Sequence, residues 1–148
     1  MPNVKIFIGS SSAAKSQAKA IMNAFSHPTV SFVPWWDVIT SGGTLLTELD
    51  KIRAEVNGAI LVFNPEIPAN VHGNSVEIPN LNVLFEFAYF YSQFGPQRAA
   101  IIKYGEFYLP SNMWGRIHIP GSKHFKANAV VKVGKRTTNE FNKWIAHF

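Results

Sequence analysis

Apolar and polar positions follow two different periods along the chain of 148 residues, and the pattern predicts strands alternating with helices. Apolar runs of strand length begin at Val4, Val30, Ala59 and Ala99. The stretches that follow them place apolar residues three and four positions apart, as in helices that bury one face. Four or five such repeats predict an α/β fold, a flavodoxin-like three-layer sandwich with a central parallel sheet of four or five strands.

Three helices are predicted from their apolar stripes. The stripes are Ala14, Ala18, Ile21, Met22 and Phe25, then Leu45, Leu49, Ile52 and Val56, and finally Phe141, Trp144, Ile145 and Phe148. Thr44 stands where the N-cap of the second helix belongs. Thr137 and Glu140 have the spacing of a capping box, which predicts the start of the last helix.

Three segments lack a clear period. Residues 66–79 are rich in Pro, Asn and Gly and are predicted to form a loop over the edge of the sheet. Residues 105–121 are predicted to be turn-rich, with a kink at Pro110. The apolar residues of 129–133 predict a short final strand.

The stretch 80–95 is long enough for a helix and apolar almost all the way round, which is typical of a buried helix. Glu86 is the only carboxylate in this stretch, and the stretch contains no basic residue. Asn82 lies four positions before Glu86 and Tyr89 three after, so the three form a polar stripe on one face. This stripe is a candidate floor of an active site. The alternative is a structural acid, hydrogen-bonded to backbone or paired with an arginine.

Further polar residues follow the predicted strands, where an open α/β sheet collects its ligand. Ser10 and Ser11 follow the first strand and are candidates to contact ribose or phosphate, although a serine there can equally cap a helix. Trp36 and Asp37 follow the second strand, within a loop that continues to Gly43. The tryptophan is a candidate to stack on a base, with packing in the core as the alternative.

Composition supports one compact domain over 1–148, since 47% of the residues are hydrophobic and 14% aromatic. No apolar run of about 18 residues and no signal-peptide pattern occurs, so we expect a cytoplasmic protein without a membrane segment. The absence of cysteine excludes disulfides and thiolate ligands, and the five histidines are scattered, so we expect no metal site.

The net charge of +5 is compatible with an anionic partner. Basic residues are concentrated only over 123–136, where no aromatic residues alternate with them in the way that favours base stacking. We therefore expect a solvated face, or a mononucleotide or dinucleotide ligand, rather than a nucleic acid.

Five stretches, in this order, resemble the bacterial TIR-like domains, including the TIR partners of bacterial STING proteins. They are K-I-F-I-G-S-S-S at 5–12, W-W-D-V-I-T-S-G-G-T-L-L at 35–46, A-I-L-V-F-N-P at 59–65, N-L-N-V-L-F-E-F-A-Y-F at 80–90 and L-P-S-N-M-W-G at 109–115. The usual helix motif of that family has an Asp before the Asn and a Gly after the Phe that follows the Glu. This chain has Leu81 and Ala88 there and retains the glutamate as Glu86.

The resemblance implies cleavage of NAD+ between nicotinamide and ribose, with Glu86 as the catalytic residue and NAD+ as substrate without a further cofactor. The products would be nicotinamide and ADP-ribose or a cyclic isomer. It also implies self-association through TIR–TIR contacts, a sensor or effector protein in trans, and a role in antiphage defence.

Two other functions fit the same residues. A nucleoside 2-deoxyribosyltransferase-like enzyme uses a similar sandwich and a buried glutamate, and would release a free base instead of nicotinamide. A non-enzymatic TIR adaptor would only recruit partners, and Glu86 would then be dispensable. Replacement of Glu86 by Gln or Ala distinguishes the adaptor from the enzymes.

Overall fold

The computed structural model describes residues 3–25, 27–39, 43–110, 113 and 118–148. In these ranges the strands are β1 (Val4–Gly9), β2 (Val30–Pro34), β3 (Gly58–Phe63), β4 (Ile67–Val71), β5 (Asn74–Ile78), β6 (Ala99–Tyr104) and β7 (His118–Ser122). The helices are α1 (Lys15–Ala24), α2 (Trp35–Val38), α3 (Leu45–Arg53), α4 (Leu81–Phe94) and α5 (Lys135–Ile145), with a 3-10 turn over Ser12–Ala14 before α1. The predicted loop 35–43 is wrong at its start, because residues 35–38 form the short helix α2. Residues 40–42 of that segment, and parts of the stretch 109–115, lie outside the described residues.

Five strands form one parallel sheet in the order β2-β1-β3-β6-β7, which confirms the predicted fold class. All six residues of β3 are buried, because helices cover both faces of the sheet. One core contains residues of α1 and α5, and the core on the opposite face contains residues of α3 and α4. The chain is therefore the expected three-layer sandwich.

The predicted apolar stripes pack as expected, but one predicted cap is wrong. Thr44 Oγ1 accepts a hydrogen bond from Thr47 N at 3.2 Å and caps α3. The capping box expected at Thr137 does not form, since α5 begins earlier, after Gly134. Thr137 is buried instead, and its hydroxyl donates to the Pro120 carbonyl at 2.5 Å. This hydrogen bond ties α5 to β7.

The prediction of a loop over 66–79 is wrong. The segment is an antiparallel hairpin in which β4 pairs with β5 and Val71 faces Asn74. His72 and Gly73 connect the strands with φ angles of 51° and 81°, the left-handed conformations that suit a tight two-residue turn. Pro68 argues against a strand in the sequence, because proline has no N–H to donate to a neighbouring strand. It is tolerated in β4, which belongs to a two-stranded sheet and is therefore an edge strand.

The strand predicted over 129–133 is also wrong. Val131 makes its backbone hydrogen bonds with the side chain of Gln17 on α1 instead of with a neighbouring strand. Gln17 Nε2 donates to the Val131 carbonyl at 2.9 Å, and Gln17 Oε1 accepts from Val131 N at 2.6 Å. The same Nε2 donates to the Tyr104 hydroxyl at 3.1 Å, so the buried Gln17 joins α1, β6 and this segment.

The fifth strand of the sheet is β7, which overlaps the end of the segment 105–121 that is predicted to be turn-rich. It pairs only with β6 and forms an edge of the sheet, a position where Pro120 and Gly121 are tolerated. In the sequence, both residues argue against a strand at this position. A strand can contain them here because it lies at the edge of the sheet.

The limits of α4 agree with the predicted helix. Asn80 Oδ1 accepts hydrogen bonds from Asn82 N and Val83 N at 2.9 and 3.2 Å, and Gly95 follows the last turn with a φ of 82°. Its predicted burial on all sides is wrong, because Leu81 and Phe85 are 59% and 46% exposed. Within the described ranges, none of the helices is both long and apolar enough to cross a bilayer.

Candidate active site

Glu86 lies at the carboxyl end of β1, against the backbone of Gly9. A Cβ built on Gly9 would lie 2.6 Å from Glu86 Oε2 and 2.5 Å from the Leu61 side chain. A side chain at this position would therefore displace the Glu86 carboxylate and the Leu61 side chain, whereas glycine leaves both in place. The α4 helix thus places Glu86 at the edge of the sheet where a flavodoxin-like fold collects its ligands.

The carboxyl group of Glu86 is buried, and one of its two oxygens lacks a hydrogen bond among the described residues. The residue is 5% exposed, and among the described residues Oε2 has no hydrogen-bond partner. Burial raises the pKa of Glu86 from 4.5 to about 8, because a desolvated charge is unfavourable. Within the same ranges the ion pairs do not include Glu86. An arginine-paired structural acid would show the opposite features, so this geometry favours a functional carboxyl group.

Ser10 and Ser11 follow β1 directly and are both buried. The Ser10 hydroxyl donates to the Ser11 carbonyl at 2.9 Å and accepts from Trp35 Nε1 at 2.8 Å. The Ser11 hydroxyl has no hydrogen-bond partner among the described residues. Ser10 is therefore held in place, whereas Ser11 retains the hydrogen-bonding capacity that a bound ligand would satisfy.

The two tryptophans after β2 contact each other, with ring centroids 5.7 Å apart, and each packs against a different core. Trp35 packs against the core on the α4 side, and Trp36 against the core on the α1 side. The ammonium groups of Lys15 and Lys19 lie 5.2 and 5.7 Å from the Trp36 ring centroid, within cation–π distance. Asp37 is exposed. Trp35 therefore shares a layer with Glu86, while stacking of a substrate on Trp36 stays a prediction.

Asn82 and Tyr89 do not form one continuous polar stripe with Glu86. Asn82 is exposed at the start of α4, whereas Tyr89 is buried. The Tyr89 hydroxyl donates to an Asp50 carboxylate oxygen on α3, and burial raises the pKa of Tyr89. Tyr89 thus ties α4 to α3, and substrate contacts of both residues stay predictions.

Gly9 and Asn64 also lie at the carboxyl edge of the sheet, as expected from their positions at the ends of predicted strands. Asn64 follows β3 and is 2% exposed, with its Nδ2 donating to the Pro65 carbonyl at 3.3 Å. The one available signal for Gly9 was its place at the end of a strand, where glycine marks a close approach of other atoms to the backbone. Groups of three or more His, Asp or Glu suited to a metal ion are absent from the described ranges.

Comparison with known proteins identifies the family. The model of the CAP12/Pycsar effector protein TIR domain matches residues 5–123, most of the chain. The chain belongs to this TIR-domain family. The match spans the sheet and every predicted site residue from Ser10 to Tyr89, while α5 lies beyond it.

Three relatives of this TIR family share the name CD-NTase-associated protein 12. The protein from a Lachnospiraceae bacterium is 30% identical over 111 residues, which are 75% of this chain and 35% of the relative. Those from Sphingobacterium faecium and Flavobacterium daejeonense are 29% and 28% identical over the same length, covering 34% and 36% of the relatives. The aligned part of the chain thus spans about a third of each relative.

Proposed function

We propose that this TIR domain is an NAD+ glycohydrolase that breaks the bond between nicotinamide and ribose. The observation that carries the proposal is the Glu86 carboxyl group, buried and without a hydrogen bond to Oε2 among the described residues, at the carboxyl edge of the sheet. Burial of a carboxyl group without a full set of hydrogen bonds lowers the stability of the fold. Carboxyl groups of this kind are concentrated at functional sites.

The chemistry of NAD+ suits a site with one carboxylate. Nicotinamide is a pyridinium in NAD+, and when the bond to C1′ breaks the electron pair stays on its nitrogen, so it departs neutral without a general acid. Glu86 stabilises the oxocarbenium-like ribose electrostatically or traps it as an ester. Water then adds to C1′ and loses a proton to give ADP-ribose, and attack by the adenine of the same molecule gives a cyclic isomer instead.

The raised pKa of Glu86 is compatible with this role. At neutral pH a carboxyl group with a pKa of about 8 is mostly protonated in the free domain. A pyridinium placed beside it favours the ionised form and lowers the pKa, because the two opposite charges attract in a poorly solvated site. Substrate therefore generates the carboxylate that the reaction requires.

Site residues other than Glu86 bind the substrate in this proposal. Ser11 donates its unpartnered hydroxyl to a ribose or phosphate oxygen, and Ser10 supports the same turn. Trp36, Asp37, Asn82 and Tyr89 are proposed to contribute further contacts once the substrate and a second domain are in place.

The test compares NAD+ turnover of the wild type with that of Glu86→Gln. Loss of a positioned charge-stabilising group lowers the rate by about a hundredfold or more. Glu55→Gln is the matched control, since Glu55 is an exposed acid and should keep full activity. Wild-type turnover by a folded Glu86→Gln would overturn the proposal.

The pH dependence distinguishes the other N-glycosidic reaction. A nucleoside 2-deoxyribosyltransferase-like enzyme that protonates its departing base needs acidic Glu86 and would lose kcat/KM above pH 8. The NAD+ glycohydrolase needs ionised Glu86 and should gain kcat/KM up to the same pH. Product analysis for nicotinamide against a free base gives an independent answer.

We further propose that the site is completed by a second copy of the domain. Leu81 and Phe85 expose apolar side chains on α4, within two turns of Glu86. Beside them an apolar cavity of 220 Å³ is bounded by Leu84, Tyr108 and the β4–β5 hairpin, among other residues. Apolar surface of this kind marks contact sites. Assembly would cover the carboxyl edge of the sheet at Glu86 and make turnover depend on clustering.

The biological role follows from the family as a proposal. Its effector name and the CD-NTase-associated relatives support a defence effector that acts against phage together with a protein in trans. Clustering by that partner would switch on NAD+ consumption, and the dispersed domain would remain nearly silent.

A further inference from the structure

A second cavity, here called the basic pocket, lies at the carboxyl ends of β6 and β7 and has a volume of 250 Å³. In the sheet order, β6 is two strands and β7 three strands away from β1, so the pocket shares an edge with Glu86 without adjoining it. Among the described residues, the charged side chains that line it are Lys103, Lys123, Arg136 and Glu106, three cations against one carboxylate.

A β-bulge opens the sheet at this pocket. Lys103 pairs with Pro120 but Tyr104 pairs with Ser122, so Gly121 is the extra residue of β7. A Cβ on Gly121 would lie 2.5 Å from the Lys103 carbonyl oxygen and 2.8 Å from the Tyr104 ring. The bulge requires glycine, and the missing side chain leaves the floor of the pocket open. Bulges often occur beside functional sites, where they redirect side chains.

Lys103 brings a largely desolvated charge into the basic pocket. Its side chain is only 24% exposed and lies on a central strand, with the ammonium 5.3 Å from the Phe107 ring centroid. The carboxylate of Glu106 is 3.5 Å away, but the Glu106 side chain is 72% exposed. An ion pair with so exposed a partner is weak, so an anion of higher charge can displace Glu106.

Arg136 approaches the pocket from the first turn of α5, where a cation opposes the helix dipole. The first turn contains no acidic residue, and the N-cap Gly134 supplies no side-chain cap. Ser122 Oγ accepts a hydrogen bond from His124 N at 3.1 Å and keeps its own proton to donate. The pocket therefore combines donors and positive charge without enough carboxylate to balance them.

We propose that the basic pocket binds a phosphate group. Lysine and arginine donors suit phosphate oxygens, and 250 Å³ is below the roughly 300 Å³ of the smallest pockets for drug-sized ligands, so one phosphate or sugar phosphate fits best. The phosphate belongs either to a free phosphorylated compound or to a dinucleotide that reaches Glu86, since β7 is about 14 Å from β1 at ordinary strand spacing. Phosphate binding itself does not rest on NAD+ cleavage.

The test is titration of the isotope-labelled domain with inorganic pyrophosphate at constant ionic strength, followed by the amide signals of Gly105 and Gly121. Saturable shifts are expected at both. Lys123→Gln with Arg136→Gln should weaken binding about tenfold or more, because two charge-assisted hydrogen bonds are lost.

The matched control is Lys126→Gln with Lys132→Gln, which removes the same charge from exposed positions of the same segment outside the pocket. It should keep the affinity within about twofold, as expected for surface charges screened by salt. Equal weakening in both double variants, or shifts that do not saturate, would mean unspecific charge attraction and would overturn the site.

A second measurement identifies the source of the phosphate. NAD+ binding to the Glu86→Gln variant is followed with and without pyrophosphate. Competition supports the pocket and assigns it to a phosphate of the dinucleotide, and simultaneous binding supports it and assigns it to a separate phosphorylated compound. If neither NAD+ nor pyrophosphate shifts Gly105 and Gly121, the pocket binds no phosphate.

Discussion

Glu86 Oε2 occupies the space where a side chain at Gly9 would begin, only 2.6 Å from the position of a Cβ there. Gly9 and Glu86 are 77 positions apart in the sequence. The end of β1 thus packs closely against the middle of α4. This contact fixes where the carboxyl group points, because the packed neighbours Leu61 and Phe7 bound the same space.

Gly9→Ala should therefore impair activity more than an ordinary added methyl group. The new Cβ would displace the Glu86 carboxylate and the Leu61 side chain, with an overpacking cost of about 1–3 kcal/mol. We expect NAD+ turnover per folded molecule to fall at least about tenfold, since small misplacements at a catalytic group are costly. Gly134→Ala is the control, because nothing lies within 4 Å of a Cβ at Gly134. Normal turnover by a folded Gly9→Ala would contradict this role of the contact.

The raised pKa of Glu86 also predicts how stability depends on pH. The unfolded chain releases this proton near pH 4.5 and the folded domain near pH 8, so between these values the folded state binds more protons. The stabilisation from protonated Glu86 is complete below pH 4.5 and is lost as pH rises through 8, by an amount on the order of 5 kcal/mol.

Glu86→Gln should remove that slope. Denaturant unfolding at a series of pH values measures it, and the difference in unfolding free energy between the wild type and Glu86→Gln should change in favour of the variant from pH 5 to 8. A difference that is constant over this range would show that the carboxyl group is solvated or hydrogen-bonded after all.

Sequence patterns were sufficient for the parallel sheet because the core strands are long apolar runs. Ala59–Phe63 and Ala99–Ile102 are buried throughout, and their order with the helices leaves few topologies. The predictions that failed concern segments where a tertiary contact overrides the local preference of the sequence for a strand or a turn. Val131 bonds to the Gln17 side chain, and Pro120 is tolerated only because β7 is an edge strand.

In the candidate site, too, some features follow from the sequence and others depend on tertiary packing. Glu86 stands out in the sequence because a lone acid among apolar residues is unusual, and its position at the strand ends follows from the fold class. Its contact with Gly9 depends on how α4 is rotated on the sheet, which periodicity does not determine. The exposed face of α4 is predicted to be buried because exposed apolar residues such as Leu81 and Phe85 look the same in a sequence as core residues.

Trp35 should contribute to NAD+ turnover through its hydrogen bond to Ser10. Trp35→Phe keeps an aromatic ring but leaves Ser10 Oγ without its donor at 2.8 Å, so the turn that carries Ser11 loosens. Loss of one such hydrogen bond is worth about 1 kcal/mol, which predicts a fall in kcat/KM of about fivefold. Trp144→Phe is the comparison, since Trp144 lies on α5 and its Nε1 has no hydrogen-bond partner among the described residues. Equal effects of the two variants on kcat/KM would argue against the Ser10 contact.

The last prediction concerns assembly through α4. Phe85 is 46% exposed, so Phe85→Ser removes apolar surface from the outside of the domain and should leave its unfolding free energy within about 1 kcal/mol. If a second copy covers this face, the variant should lose both the concentration-dependent increase in NAD+ turnover and the mass increase seen by light scattering.

Val130→Ser is the matched control, because Val130 is 55% exposed in the segment before α5, away from the α4 face. It also removes an exposed apolar group, although a smaller one, and should assemble like the wild type. Turnover per molecule that stays high and constant down to nanomolar wild-type domain would reject the shared site while leaving the role of Glu86 intact. Assembly that survives in Phe85→Ser would place the contact on another face, because a central apolar side chain normally contributes a large part of an interface's binding energy.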